Sequence, residues 1–143
     1  RVSAKTTEKT NFIMDADDTV LAEEEDLLIN ATTISIEEAV EFADQCGGIA
    51  YPAHIDRTSN GMVAVLGGFP SDPKFTAFEL HDASALSQYQ ENYPHLRDLT
   101  YVVSSDAHEL GAISEAENSF LLDDEPYSSR FVTEELFRHL RGE

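Results

Sequence analysis

At 143 residues the sequence is long enough to bury one modest core and short of what a complete α/β barrel normally needs. Hydrophobic residues make up 41%, with 8 Phe and 5 Tyr but no Trp, which argues against disorder throughout. A formal charge of -19, from 28 acidic and 9 basic residues, repels phosphate backbones and anionic lipid and so disfavours sequence-independent binding to nucleic acid or membrane.

Much of the acid is blocked, at residues 15–18, 23–26 and 123–125, and reads as a solvated surface. A small phosphate ester can still bind where a metal or an arginine reverses the local sign. Cys46 is the only cysteine, so no internal disulfide forms, which suits a reducing, cytoplasmic setting. No apolar run reaches transmembrane length, and the N-terminal residues are polar rather than signal-like. The chain opens on Arg1, so an upstream segment is expected.

Residues 1–9 are polar and expected to fray. Two short extended pieces follow, at 11–14 and 19–22, around the turn-prone Asp15, Asp17 and Asp18. Residues 35–46 carry the clearest helix pattern. Ser35 stands as N-cap, Glu38 completes a capping box, and Ile36, Ala39, Val40 and Ala43 recur at helical spacing before Gly47 and Gly48. An apolar strand is then expected over 49–53, delivering His54, and a short helix over 62–66. A second buried strand is expected at 76–80, a helix near 84–93 that stops before Pro94, and a third strand at 99–104 that leads to Asp106 and His108. Residues 118–122 read as a fourth strand and 133–141 as a closing amphipathic helix with Leu136, Phe137 and Leu140 inward. Strands alternating with helices argue for βαβ units and a parallel sheet, in which ligands gather at the C-terminal strand ends.

The polar residues fall at those ends. His54, His81 with Glu79, and Asp106 with His108 each follow an apolar stretch, where a polar group needs a partner to offset desolvation. Histidine and carboxylate are ligands that Zn, Mn and Fe accept, and Asp106 and His108, two apart, point the same way if the strand continues. Spacing alone leaves two readings open: a metal site, or histidines satisfied in core or surface contacts. Glu79 and His81 read equally as partners that orient metal ligands or as ordinary hydrogen-bonding residues. His95 and His139 read as solvated, and Cys46 has no adjacent base to make it a nucleophile.

The run Gly47-Gly48-Ile49-Ala50-Tyr51-Pro52-Ala53-His54, followed by Arg57, resembles a segment of the polymerase and histidinol phosphatase (PHP) family, in which a Gly-Gly turn and apolar strand end in an Ala-His ligand motif. Ser105-Asp106-Ala107-His108 resembles that family's late Asp-x-His, and the order and separation of the two motifs agree. The similarity runs from about Ile13 to Leu140 and is nearest to small stand-alone bacterial members. The family's His-x-His, further Asp-His element and Glu from earlier strands do not occur in this chain.

The resemblance implies a fold of the α/β class: a partial, distorted (β/α) barrel of the PHP type containing only the later strands and helices. Residues 1–143 would form the C-terminal portion of a single PHP-like domain, with 1–34 a hairpin or insert. It implies His54, Asp106 and His108 as ligands of divalent metal ions (Zn, Mn or Fe), and metal-assisted hydrolysis of a phosphate monoester or diester, with Asp106 and Arg57 catalytic. Arg57 would clamp a phosphoryl oxygen, although Ile55-Asp56 replaces the family's usual Pro-Gly before it. The implied partner is a small phosphorylated substrate, without nucleic acid or membrane. The open barrel edge would be covered in a homo-oligomer or by the missing N-terminal portion. The competing functions are a non-catalytic PHP-like binding or regulatory module and a structural fragment without activity of its own.

Overall fold

The computed structural model describes residues 11–24, 32–123 and 128–143. The expected fraying of residues 1–9 and parts of the acidic blocks at 23–26 and 123–125 lie outside the described residues. Contacts divide the chain into two units, Arg1–Glu38 and Ala39–Glu143.

In the first unit, β1 (Asn11–Met14) and β2 (Val20–Glu24) pair antiparallel, with Ile13 opposite Ala22 and a register shift before Met14. Asp15 holds the turn: its Oδ1 accepts from the backbone N–H groups of Asp17 and Thr19, both at 2.9 Å. These bonds hold its carboxyl below the usual carboxylate range, the Thr19 N–H contributing most. Helix α1 (Ile36–Gln45) begins with the expected capping box, since Ser35 N–H donates to Glu38 Oε2 at 2.8 Å and Glu38 N–H to Ser35 Oγ at 3.1 Å. It ends at Gly47, whose φ of 75° is open to glycine at little cost.

The second unit contains the greater part of α1, which spans the division, together with α2 (Met62–Leu66), β3 (Ala77–Leu80), α3 (Leu86–Asn92), β4 (Thr100–Val103) and α4 (Ser129–Arg141). Strands β3 and β4 run parallel, in register from Ala77 opposite Thr100 to Leu80 opposite Val103. Ala77, Phe78 and Leu80 are wholly buried, as expected of a strand covered on both faces. Phe69 packs edge-on against Phe75 and Phe78, with ring centroids 6.0 and 6.4 Å apart, and Ile55 and Leu96 close the core. Ser128 Oγ caps α4 by accepting from Phe131 N–H, and the helix docks on β4 through Leu140 and a bond from Thr100 Oγ1 to the His139 carbonyl.

The partial (β/α) barrel expected from sequence is not what forms. Among the described residues the architecture is mixed α and β, with four α-helices, two separate two-stranded sheets and no closed barrel. Residues 49–53 do not become a ladder strand. Pro52 has no N–H to donate, and the segment meets β3 through two backbone bonds only, Glu79 N–H to Pro52 O and Ile55 N–H to Glu79 O, both 2.9 Å. At His54 the φ of 29° ends the extended path. Residues 118–122 form no strand either: the stretch 117–121 stands off β4 across a cavity of about 680 Å³ that both line. Its Phe120 lies against the His139 ring instead, at 4.8 Å. No helix among the described residues is long and apolar enough to cross a membrane.

Candidate functional site

Because β3 and β4 are parallel, the residues that follow them emerge at one end of the sheet, and the 52–57 segment hydrogen-bonded to β3 brings its own residues there. Asp56 ties the 52–57 segment to the end of β3. Its Oδ1 accepts from His81 N–H and its Oδ2 from Asp82 N–H, each at 2.8 Å, so the carboxylate satisfies the two backbone donors just beyond β3. Gly61 seals the same loop from behind: a Cβ there would lie 2.7 Å from the His54 carbonyl oxygen and 2.8 Å from that of Arg57.

Asp106 lies at the centre of the cluster. The Nη1 of Arg57 is 3.2 Å from its Oδ2, His54 Nε2 is 3.8 Å from the same oxygen, and His108 Nδ1 is 4.0 Å from Oδ1. Ser104 Oγ accepts from Asp106 N–H at 3.2 Å and fixes the backbone. His108 Nδ1 lies 2.8 Å from the Asp106 carbonyl oxygen; a carbonyl only accepts, so Nδ1 carries the proton and Nε2 is left with a free lone pair. Arg57 also reaches His81, with Nη2 to Nδ1 at 3.4 Å.

Strain accompanies the convergence. His54 (φ 29°) and Asp106 (φ 51°) both adopt backbone conformations that residues with a side chain rarely take, at a cost of order 1–3 kcal/mol each. The side chain of His54 is 15% exposed, and its Nδ1 is buried without a hydrogen-bond partner. An orphaned nitrogen of that kind costs about 1–3 kcal/mol and recurs where a site is set up for something other than stability.

The four residues singled out from sequence, His54, Arg57, Asp106 and His108, therefore come together, but not with equal intimacy. His108 is 84% exposed against 23% for Asp106. Two imidazoles and a carboxylate have the donor chemistry of a Zn, Mn or Fe site, and His108 has the usual arrangement of a ligating histidine, with Nδ1–H on a carbonyl and Nε2 free. The fit is partial: no group of three or more His, Cys, Asp or Glu among the described residues is arranged to hold an ion. Arg57 at present occupies the Asp106 oxygen nearest His54.

Sequence reasoning passed over Asp56 and Gly61. Asp56 figured only as a departure from a familiar pattern, and no local signal marks it, since the backbone N–H groups that it accepts from belong to His81 and Asp82, far along the chain. Glu79 contributes its backbone to the 52–55 segment, and its carboxylate lies near Tyr51, whose hydroxyl is pushed up first by burial and then by that charge. His95 and His139 both lie against aromatic rings, His95 on Phe69 at 5.3 Å and His139 on Phe120; His95 is exposed, as expected, whereas His139 is half-buried. No protein-family model, curated protein or solved structure matches the chain.

Proposed function

We propose that this chain contributes to a metal-dependent phosphoesterase of the PHP kind, with a small phosphorylated molecule as substrate. His54, Asp106 and His108 would hold a divalent ion together with donors beyond these three, and Arg57 would bind the phosphoryl group. The observation that carries the reading is the convergence on Asp106 of His54 and Arg57 from a distant loop, with strained backbone at both His54 and Asp106. The quoted Ala-His and Asp-x-His motifs support it independently.

A divalent ion in such a site supplies Lewis-acid charge to the phosphoryl oxygens and acidifies water. The chain's own residues do the rest. The Arg57 guanidinium, already reaching Asp106 and His81 with separate nitrogens, offers two parallel donors to an anion once it leaves the carboxylate. In a chain of charge -19 that local cation is what admits a phosphate at all. Asp56 holds His81 and the Arg57 loop in register while the guanidinium changes partner. Cys46, an exposed free thiol, suits a reducing compartment, and a cytoplasmic setting belongs to this proposal.

Hydrolysis of p-nitrophenyl phosphate with added Mn²⁺ or Zn²⁺ tests the reading. Turnover that falls by roughly 100-fold or more in both His54→Ala and Asp106→Ala supports it, since loss of even an outer partner of a metal site costs roughly 10–100-fold. The Arg57–Asp106 ion pair favours a second reading, a non-catalytic binding or regulatory module in which the guanidinium takes the place of a metal. Folded protein that binds phosphate through Arg57 but shows no turnover with either metal would establish that reading instead.

A further inference from the structure

Beside the Arg57 cluster, beyond the same ends of β3 and β4, lies an open cavity of about 530 Å³. That is within the roughly 300–1,000 Å³ of small-molecule sites. Its walls include His81, Ser104, Ser105, Ser114 and Asn118. It is continuous with the cluster through two residues: His81 is 3.4 Å from Arg57, and Ser104 accepts from the Asp106 backbone.

Resting on the phosphoesterase reading above, we propose that this cavity seats the leaving group of the ester, and that the leaving group is a neutral polyhydroxylated one. The substrate class is then a sugar or polyol phosphate monoester. Three serine hydroxyls and one carboxamide each donate and accept hydrogen bonds, which is what a row of alcohol groups requires. The small apolar lining residues Ala83, Val103 and Ala112 match the C–H faces of such a molecule.

Two alternatives are disfavoured by the same walls. Asp82 and Glu117 border the cavity, and the carboxylate of Asp82 is fixed by accepting from Ser84 N–H at 2.8 Å, so a second phosphate or a carboxylate on the leaving group meets like charge. A nucleobase stacks best on a broad aromatic face, and among the described lining residues the one ring is that of His81, which already lies 3.4 Å from Arg57.

Isothermal titration of the full chain in Mn²⁺ buffer, with glucose 6-phosphate and with inorganic phosphate, tests this. Ser114 and Asn118 are exposed and lie outside the Arg57 cluster, so the Ser114→Ala/Asn118→Ala variant should remain folded. The expected result is tighter binding of glucose 6-phosphate than of phosphate. In the variant its affinity falls roughly tenfold, as expected for lost hydrogen bonds, while phosphate affinity stays within about twofold. Phosphate binding with no preference for the sugar ester, or a preference that survives in the variant, overturns the cavity assignment and leaves the Arg57 site standing. Failure of both ligands to bind sinks the phosphate site together with this proposal.

Discussion

Gly61 has no functional group, yet it sets the distance between His54 and Arg57. The two carbonyl oxygens that a Cβ would strike belong to backbone, which cannot turn aside as a flexible side chain can. Gly61→Ala is therefore expected to destabilise the chain by about 1–3 kcal/mol in chemical denaturation, as overpacking does, and to weaken phosphate binding along with it. A loss of stability with phosphate affinity intact would mean that the loop relaxes without moving Arg57. Asp15 presents a different case, because its role depends on charge. Its carboxyl titrates lower in the folded chain than in the unfolded one, chiefly through the Thr19 N–H. The stabilisation is present above the ordinary carboxylate pKa and is lost as pH falls through the depressed folded value. Amide protection at Asp17 and Thr19, taken relative to the intrinsic exchange rate at each pH, should therefore fall on acidification, and Asp15→Asn should remove most of that pH dependence. His54, Asp106 and His108 were legible because each follows an apolar run, whereas Arg57 was singled out only through the family resemblance. Asp56 and Gly61 were not, since their work lies in holding backbone groups that the sequence does not show to be neighbours.

Among the elements, β3 bears most of the packing. Phe78 is wholly buried against Phe69 and lies across from Tyr101 on β4, so Phe78→Ala should cost about 3–5 kcal/mol and loosen the sheet ends that carry His81 and Asp106. Thermal unfolding followed by near-ultraviolet circular dichroism measures this, and a loss below about 1 kcal/mol would show that the core collapses around the gap. The helices were the readable part of the sequence. The capping box at Ser35 and Glu38 and the span 62–66 stand as the local pattern indicates, because capping and helical periodicity act within a few residues. Helix α4 begins earlier than its apolar stripe suggests; Ser128, an N-cap without a capping-box Glu, was the available signal. Strands depend on partners far away in sequence. An apolar run such as 49–53 or the stretch 118–122 has the composition of a strand, but a proline, a left-handed residue or a cavity beside it decides whether a ladder closes.

For the molecule taken whole, the charge of -19 and the strand-end cluster are in tension, and the tension is informative. A chain of strongly negative net charge places Arg57 and two histidines, His54 and His108, around one carboxylate, with His81 beside Arg57. Such a surface draws in cations, and the proposed phosphate site depends on Arg57 to reverse the local sign. The account therefore turns on whether the cluster takes a divalent ion. Elemental analysis after equilibrium dialysis against Mn²⁺ or Zn²⁺, on the wild-type chain beside His54→Ala and Asp106→Ala, answers this most directly. Retained metal that both substitutions abolish is the expected result, with weak affinity because the donor set is incomplete. A folded chain that holds no metal at millimolar ion, or holds as much after Asp106→Ala as before, would contradict the assignment of His54, Asp106 and His108 as ligands.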